Sequence, residues 1–442
     1  MWGYPRARMT PHSSTPINPR AAEQIAGRAE EILLRREVLG WRLGLERMRR
    51  LCLLLGMPQN RFASIHVVGT NGKSSVTRMT AALLEAHGIS TGAYVSPHIT
   101  SWRERLSIRG EPISEEAFTE ALERAEQSAE IADRSAGDEG PVTQFELLTA
   151  AAFVAFAAAR VQYAVIEAGL GGRLDATNVV PSKLTVLTSV GYDHTEWLGE
   201  TLEQIAAEKV AVLRDHTTLL VGEVPEEVNG VIGREVAEKH AKKVWTAAAS
   251  HMVPGYQGKN LAVAEAAVRV VLGDVRPDVL DAFVERVASR DFSIRGRAEL
   301  VPGDPPAIFD AAHNPDGAKA LADALPQLAG GRKVVCCLAI LEGKDAVGIV
   351  NGLAPVCSQF VCTEIPPEQI EGSGRPGGRA RPALEIAALC QKAGREAEPI
   401  SNPLEAWDRV RDLARRCDGV ALAAGSHYLL SSIWTERPAQ SS

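Results

Sequence analysis

The sequence predicts an α/β fold with a mainly parallel sheet, followed by a second, smaller α/β domain. From Ala63 onward, short apolar runs typical of buried strands alternate with longer segments of helical periodicity. The alternation pauses at a polar segment around residues 292–297 and then restarts. A chain of 442 residues is also too long for one ordinary core, because a domain holds roughly 100–200 residues.

The first part of the chain predicts strands joined by helices. A buried strand is followed by a glycine-rich turn at residues 69–75 and by a helix that ends at Gly88. A long helix is predicted over residues 144–160. The predicted strands cover residues 64–69, a segment beginning at 91, 162–169, 183–190 and 217–222. Strands connected in this way run parallel and place helices on both faces of the sheet.

The second part repeats the pattern on a smaller scale. Its predicted strands cover residues 306–310, 333–340, 359–365 and 419–426. A Gly-, Pro- and Arg-rich segment at residues 368–382 predicts a mobile surface loop. We therefore expect a disordered N-terminus over residues 1–20, a first domain over 21–292, a connector over 293–299 and a second domain over 300–442.

Composition excludes several classes of protein. A formal net charge of −7 and a pI of about 5.9 argue against nucleic acid as the main partner. The longest apolar run, residues 147–159, is shorter than the roughly 20 residues that span a membrane. Seven cysteines without a C-x-x-C pair, and no targeting segment in residues 1–20, predict a cytoplasmic protein. Cys336 and Cys337 lie in an apolar run and are expected in the core.

The turn after the first strand has the composition of a phosphate-binding loop. It reads Gly69-Thr70-Asn71-Gly72-Lys73-Ser74-Ser75. Glycines let backbone N–H groups approach a polyphosphate, and the following helix adds the positive end of its dipole. Lys73 is placed to reach the β- and γ-phosphates, and the hydroxyl groups to help hold Mg²⁺. The alternative is an ordinary glycine-containing βα turn.

Five further segments, taken with this loop, resemble the folylpolyglutamate synthase/dihydrofolate synthase family of the Mur ligase superfamily, over about residues 40–430. They are an expected helix in GWRLGLERMRRLCLLLGMP (40–58), VSPHITSWRERLSIRGEPI (95–113), TQFELLTAAAF (143–153), IEAGLGGRLDATN (166–178) and DHTEWLGETLEQIAAEKVAVL (193–213). The resemblance implies a Mur-ligase-like P-loop ATPase domain followed by a smaller Rossmann-like α/β domain. It also implies an ATP-dependent ligase that joins L-glutamate to a folate-type carboxylate through an acyl phosphate.

The resemblance implies a metal centre as well. Ser96, Glu167 and His194 would hold Mg²⁺ at two sites, and Lys209 would become carbamylated and act as a further metal ligand. Lys73, Lys209 and His194 would be the catalytic residues. The plainer alternatives are a solvated carboxylate for Glu167, a surface imidazole for His194, and a helix-surface lysine for Lys209.

The substrate contacts implied by the resemblance come from both domains. For ATP, the co-substrate, they are the loop residues 69–75 with Asn260, Arg297 and Asp310. For glutamate and the pterin-bearing acceptor they are His98, Arg105, Thr143, Phe145, His313 and Ser426. Phe145 could equally be plain core, and Arg105 part of a charged face. Ala311 and Gly343 depart from the family pattern D-G-A-H-N-P and A-x-x-D-K-D, which bears on glutamate handling.

Two other functions fit the sequence less well. A cell-wall precursor ligase of the same superfamily would need a nucleotide-sugar domain before the phosphate loop, but only 68 residues precede Gly69. A non-catalytic ATP-binding protein would be expected to lack metal or phosphate residues, and Lys73, Glu167, His194 and Lys209 are all present. The sequence therefore favours a ligase that acts on small molecules, without nucleic-acid or membrane partners, and the resemblance implies a monomer.

Overall fold

The computed structural model describes residues 19–37, 42–246, 253, 255–371 and 378–434. It contains an eight-stranded and a six-stranded sheet, each mainly parallel and each carrying helices, which confirms the predicted α/β class. Within the described residues, no helix is long and apolar enough to cross a bilayer.

The larger sheet has the strand order β4-β3-β2-β5-β1-β6-β7-β8. Its strands are β1 (Ala63–Val68), β2 (Thr91–Tyr94), β3 (Leu106–Ile108), β4 (Glu111–Pro112), β5 (Tyr163–Glu167), β6 (Leu184–Leu187), β7 (Thr218–Val221) and β8 (Lys242–Trp245). Only the pairings β2–β3 and β3–β4 are antiparallel. Both outer strands are polar: β4 is an exposed Glu-Pro pair, and β8 begins with the exposed Lys242 and Lys243.

The described residues of this first part form ten α-helices. They are α1 (Pro19–Glu37), α2 (Glu46–Leu54), α3 (Lys73–Ala86), α4 (Glu115–Asp133), α5 (Gln144–Ala158), α6 (Thr195–Leu198), α7 (Leu202–Val210), α8 (Asn229–Glu238), α9 (Gly255–Leu272) and α10 (Pro277–Ala288). Helix α5 begins at a capping box formed by Thr143 and Glu146, and its apolar residues from Leu147 to Phe156 are buried. Separate cores pack against the sheet, one around α5 and another around α3 and α9.

The smaller sheet has the order β13-β12-β11-β14-β10-β9, with only β9 antiparallel to its neighbour. Its strands are β9 (Glu299–Val301), β10 (Ala307–Phe309), β11 (Val334–Leu338), β12 (Gln359–Cys362), β13 (Glu396–Pro399) and β14 (Val420–Ala424). Its helices are α11 (Pro315–Leu328), α12 (Ala346–Leu353), α13 (Pro367–Glu371), α14 (Ala383–Lys392), α15 (Pro403–Arg416) and α16 (His427–Trp434). Cys336 and Cys337 are buried in two different core clusters, which confirms their predicted packing role.

Some expectations are corrected by the structure. The helix expected in residues 40–58 is only α2, because residues 42–44 are not helical. The predicted loop at 368–382 begins inside α13 and ends with Ala380 bridged to Leu341, while residues 372–377 lie outside the described part. The predicted disorder over 1–20 falls outside it too, except that α1 begins at Pro19.

Candidate active site

A cavity of about 1070 Å³ lies where the two parts of the chain meet. The carboxyl ends of β1, β5 and β6 supply one wall, and the connection after β10 supplies another. Ligands of open α/β sheets bind at the carboxyl ends of the strands. Except for His98, every residue predicted for the site lines this cavity: Gly69, Thr70, Asn71, Gly72, Lys73, Ser74, Ser75, Ser96, Arg105, Thr143, Phe145, Glu167, His194, Lys209, Asn260, Arg297, Asp310, His313 and Ser426.

The phosphate loop is held tightly by its neighbours. A Cβ on Gly69, whose φ is +153°, would lie 2.0 Å from the Oγ1 atom of Thr188. Thr188 donates that hydroxyl to the carbonyl oxygen of Asn71 at 2.6 Å, and Ser189 Oγ accepts the N–H of Asn71 at 2.9 Å. Gly72, with φ +84°, brings the loop against Asn260, whose Oδ1 atom would meet a Cβ at 2.6 Å. The end of β6 and the helix α9 therefore fix the loop.

Two lysine side chains converge on one carbonyl oxygen in this loop. The Nζ atoms of Lys73 and Lys209 donate to the oxygen of Gly69 at 3.1 and 3.0 Å, and Lys73 also donates to Thr70 O at 3.0 Å. Burial, and then the positive charge of Lys73, lower the pKa of Lys209 to about 7. Lys209 is therefore not the helix-surface lysine of the alternative interpretation, since it is 3% exposed.

Glu167 is a buried carboxylate at the end of β5. It is 1% exposed, and burial raises its pKa, although the charge of Lys73 opposes that rise. Its two oxygens accept from Ser74 Oγ at 3.0 Å and from the backbone N–H of Ser96 at 3.1 Å. The structure thus brings Glu167 and Ser96 together, and it contradicts the solvated-carboxylate alternative.

His194 lines the same cavity from the connection between β6 and α6. Its backbone is left-handed, with φ 51°. Among the described residues, no three or more His, Cys, Asp or Glu side chains cluster as a metal site. A metal ion would therefore also need hydroxyl or modified-lysine oxygens, and hard oxygen donors such as Ser96 and Glu167 fit Mg²⁺.

Arg105 lines the cavity and is paired with His98, which does not. Arg105 is 6% exposed and donates its Nε hydrogen to His98 Nδ1 at 3.0 Å, while its guanidinium lies 4.6 Å from the centroid of Trp102. Burial, and then the charge of Arg105, hold the pKa of His98 well below its usual range. A neutral His98 can accept this hydrogen bond, so it orients Arg105 without lining the cavity.

Thr143 and Phe145 reach the cavity from the start of α5. Thr143 Oγ1 caps the helix by accepting the N–H of Glu146, and Phe145 packs beside Tyr94 with ring centroids 6.3 Å apart and planes tilted by 37°. A Cβ on Gly169 would lie 2.5 Å from Phe145, so glycine leaves room for the ring. Phe145 is thus both partly packed core and cavity wall.

The second part of the chain contributes polar groups above the loop. Asp310 accepts from the N–H groups of Ala298 and Ala312 at 2.7 and 2.8 Å and from the hydroxyl of Tyr256. Burial raises the pKa of Asp310. Arg297 and Ser426 line the cavity, and Ser426 Oγ also accepts from Tyr428 N at 3.2 Å.

Ala311 and Gly343, the two departures from the family pattern, each occupy a defined place in the structure. Ala311 is buried and donates its N–H to Gly296 O at 3.0 Å. Gly343 has φ +81°, and a Cβ there would meet no heavy atom within 4 Å. Glycine at 343 therefore serves a left-handed turn.

The residues that sequence reasoning did not assign to the site include Asp193 and Lys344. Asp193 accepts from Lys344 Nζ and from His313 Nε2, which lies 3.1 Å away. Thr188, Ser189, Asp175 and Tyr256 also line the cavity or hold its loop without having been predicted. The sequence motifs Asp193-His194 and Lys344-Asp345 were visible, but nothing in either motif showed that Asp193 contacts Lys344.

Comparison with known proteins agrees with this geometry. The family described as "Mur ligase middle domain" matches residues 67–272, and "Mur ligase, glutamate ligase domain" matches residues 296–427. The dihydrofolate synthase/folylpolyglutamate synthase of Mycobacterium tuberculosis is 33% identical over 418 residues, covering 86% of this chain and 82% of that protein. The Escherichia coli enzyme of the same name is 30% identical over 409 residues, covering 88% and 90%.

Solved structures show the same similarity. Mycobacterium tuberculosis folylpolyglutamate synthase complexed with ADP superposes with a TM-score of 0.83 at 29% identity, covering 95% of this chain and all of that one (100%). A bifunctional folylpolyglutamate synthase/dihydrofolate synthase with Mn, AMPPNP and L-glutamate bound gives a TM-score of 0.78 at 27% identity, covering 97% and 99%.

Proposed function

Since the chain belongs to the folylpolyglutamate synthase/dihydrofolate synthase family of Mur ligases, we propose that its shared cavity joins L-glutamate to a folate-type carboxylate. The protein is an ATP-dependent ligase that forms a C–N bond. Its acceptor is dihydropteroate, which gives dihydrofolate, or tetrahydrofolate, which gives polyglutamates. The observation that carries the assignment is that Lys73, Ser96, Glu167 and His194 all open onto this one cavity.

The reaction proceeds in two steps. The acceptor carboxylate takes the γ-phosphoryl group of ATP, which forms an acyl phosphate and releases ADP. The amine of glutamate then attacks the acyl carbon, the C–N bond forms, and inorganic phosphate leaves. Residues 69–75 cradle the triphosphate with backbone N–H groups, and Lys73 supplies positive charge to it. Asn260, Arg297 and Asp310 complete the nucleotide site.

A divalent metal ion takes part, and we assign it as Mg²⁺ held at two sites by Ser96, Glu167, His194 and a carbamylated Lys209. When bound, the ion offsets a repulsion between two anions that amounts to about 4 kcal/mol at 4 Å and an effective dielectric of about 20. The donor set supports this assignment, because Glu167 is a buried carboxylate with one oxygen bonded to Ser74 of the phosphate loop and the other to Ser96. Lys209, with a pKa of about 7, has a neutral amine that can react with CO₂.

The acceptor and glutamate lie on the remaining walls. Arg105 binds a glutamate carboxylate with its planar fork, while His98 orients it from behind. Thr143 and Phe145 contact the pterin–benzoate part, and His313 and Ser426 face the same space from the second domain. A cavity closed by both domains excludes water, which would otherwise hydrolyse the acyl phosphate.

The assay that tests this function is phosphate release with dihydropteroate or tetrahydrofolate as acceptor, each with L-glutamate and ATP. We expect release with at least one acceptor, dependent on glutamate, and its loss in Lys73→Ala. Lys259→Ala is the control, since Lys259 is an exposed cavity-rim lysine paired with Glu223. No release with either acceptor, or full turnover of Lys73→Ala, would reject the proposal.

We also propose the wider setting of the enzyme: a cytoplasmic monomer with domains at 21–292 and 300–442 and a connector at 293–299. The second sheet begins at Glu299, and the two family matches end and begin at residues 272 and 296, which supports these bounds. Sedimentation of the purified protein at one monomer mass would support the monomer; a dimer mass would contradict it.

A further inference from the structure

A single carboxylate of the first domain is the meeting point for three side chains of the second. One oxygen of Asp193 accepts from Lys344 Nζ and from the backbone N–H of His194, the latter at 3.0 Å. The other oxygen lies 3.1 Å from His313 Nε2 and 3.4 Å from Asn314 Nδ2. The side chains of Asp193 and Lys344 are 8% and 9% exposed. We call this cluster of Asp193, His313, Asn314 and Lys344 the clasp.

The clasp is joined to the phosphate loop. The side-chain amides of Asn71 and Asn314 bond to each other in both directions, each at 3.1 Å. Asn71 belongs to the loop and is fixed by Ser189. Asn314 caps helix α11 by accepting from Gly317 N at 2.8 Å, so its orientation is set by that helix. The second domain therefore meets both the loop and Asp193 through His313 and Asn314, and Lys344 adds a further contact to Asp193.

Electrostatics favours this arrangement of the domains. The buried carboxylate of Asp193 faces the ammonium group of Lys344 and the ring of His313, and these partners offset the cost of burying its charge. Charge pairs between two surfaces fix orientation and register more than they add affinity, because each charge regains water when the surfaces separate. A clasp of this type suits two domains that must open and close in every turnover.

From these contacts we propose that Asp193 and Lys344 are positioning residues, which set the second domain over the phosphate loop for the ligase reaction. The inference rests on the proposed use of the shared cavity. Neither residue needs to touch the substrates. They act by placing His313 and Asn314, and with them the start of α11, opposite Asn71.

A different role for Lys344 makes different predictions. If its ammonium bound the triphosphate directly, Lys344→Met would weaken the binding of a non-hydrolysable ATP analogue. Its effect would also multiply with that of Asp193→Asn, because the two residues would then act independently. Positioning through the clasp instead predicts that the two substitutions share one effect.

The experiment compares Lys344→Met, Asp193→Asn and the double variant with Lys319→Met. Lys319 is a matched control, because it forms a Lys–Asp pair with Asp323 at 2.9 Å in the same domain but is 73% exposed. We measure kcat, the KM for glutamate, analogue affinity, thermal unfolding, and the radius of gyration by X-ray scattering with the analogue and acceptor bound.

We expect the kcat of each single variant to fall about ten-fold or more. The kcat of the double variant should be no lower than that of the less active single variant. Analogue affinity should change less than about three-fold, and the ligand-bound variants should remain more extended than the wild type. Lys344→Arg should recover part of the rate. The proposal would be overturned if the kcat of the double variant fell about a hundred-fold, as the product of two independent losses. It would also be overturned if ligand-bound Lys344→Met were as compact as the wild type.

Failure of the proposed function would look different. If the wild-type protein released no phosphate with any acceptor, the assigned reaction would be wrong, and scattering alone would decide on the clasp. A variant that unfolded at a lower temperature and also stayed compact would show a merely structural role, and so would reject the positioning role.

Discussion

At the scale of single residues, the carbonyl oxygen of Gly69 links the phosphate loop to Lys209. It accepts from Lys73, which the loop sequence marks as a phosphate ligand, and from Lys209, which lies 140 positions away in the chain. Two ammonium groups beside one oxygen repel each other, and Lys73 is the second cause of the lowered pKa of Lys209, after burial. The phosphate loop and Lys209 are therefore coupled through a shared acceptor.

The lowered pKa predicts a pH-dependent modification of Lys209. Its ordinary value of 10.5 would leave it protonated throughout the physiological range, whereas a value of about 7 makes it increasingly neutral above that pH. Only the neutral amine attacks CO₂, so carbamylation should rise between about pH 6 and pH 8. Carbon NMR with isotopically labelled bicarbonate measures the adduct.

The control for this prediction is Lys209→Met, which should lose the NMR signal while exposed lysines such as Lys319 remain unmodified over the same range. An adduct that does not vary with pH, or that persists in Lys209→Met, would contradict it. The measurement needs no turnover, so it separates the modification from catalysis.

Arg105→Lys should weaken glutamate binding selectively. Lysine keeps the charge but lacks the planar fork, and it cannot reproduce the Nε contact with His98. Losing one hydrogen bond to a charged group removes about 1.5–3 kcal/mol, so the KM for glutamate should rise about ten-fold or more. Steady-state kinetics should show little change in the KM for ATP. Arg103→Lys is the control. Among the described contacts, the Nε atom of Arg103 donates only to the carbonyl oxygen of Ile113.

Residues close together in sequence were predictable, and residues joined across the fold were not. The loop at 69–75 could be predicted because strand, glycines and helix are contiguous. The contact between Asp193 and Lys344 spans 151 positions and two sheets, and no local pattern marks it. Its recognition requires the packing of the two domains, which a single sequence does not display.

At the scale of elements, the turn between β1 and α3 depends on glycine. Gly69→Ala would place a methyl group 2.0 Å from Thr188 Oγ1 and within 3.2 Å of two backbone atoms of Ser189. The backbone cannot move away without breaking the bonds that hold Asn71. We expect loss of ATP-analogue binding by at least ten-fold in calorimetry, since the N–H cradle is displaced.

Gly233→Ala is the matched control for that substitution. Gly233 lies in helix α8, and a Cβ there would meet no heavy atom within 4 Å. Alanine should leave nucleotide binding unchanged and add about 0.5–1 kcal/mol to the free energy of unfolding, because it favours helix. Normal analogue affinity in Gly69→Ala would show that the loop tolerates the displacement.

The buried pair of Arg47 and Glu146 joins α2 to the start of α5. Their side chains are 6% and 3% exposed, with Arg47 Nη2 3.0 Å from Glu146 Oε1, and Glu146 also closes the capping box of Thr143. Arg47→Met would leave Glu146 without its cation, which should lower the free energy of unfolding by about 3–5 kcal/mol. Denaturant titration measures this loss.

The neighbouring pair on α2 is the comparison for that measurement. Arg49 and Glu46 are 59% and 61% exposed, so Arg49→Met should change stability by no more than about 1 kcal/mol. Adding Glu146→Gln to Arg47→Met should restore part of the lost stability. Equal effects of Arg47→Met and Arg49→Met would show that burial of the first pair has no energetic consequence.

Long and apolar elements could be predicted, whereas short polar ones could not. Helix α5 and strands β1 and β5 have continuous buried residues, and the sequence indicated each of them. The strands β4, β8 and β13 were missed, because their exposed charged residues and prolines show no buried periodicity. Pairing with a neighbouring strand, rather than their own sequence, makes these segments strands.

At the scale of the whole molecule, the site belongs to neither domain alone. The order of motifs indicated that both domains contribute, and the cavity includes Lys73 from the first and His313 from the second. The relative placement of the domains could not be predicted, since it depends on contacts such as Asn71–Asn314 that have no sequence signal. The cavity is thus a property of the folded pair of domains.

The outer strands of the larger sheet predict a test of self-association. Lys242→Thr with Lys243→Val would turn β8 into an apolar, β-branched edge, which favours pairing with another chain. We expect light scattering of the double variant to rise with protein concentration and time, while the wild type stays constant. Lys239→Thr, before the strand, is the control. Unchanged scattering would show that other features protect this edge.

The borders of both sheets have one consequence at high protein concentration. One border of the larger sheet is a Glu-Pro dipeptide and the other starts with two lysines, while the smaller sheet ends in a three-residue strand and in a strand closed by Pro399. Short, charged or proline-bearing borders give amyloid-like stacking no template. The enzyme should therefore tolerate high expression without depending on chaperones to shield exposed sheet.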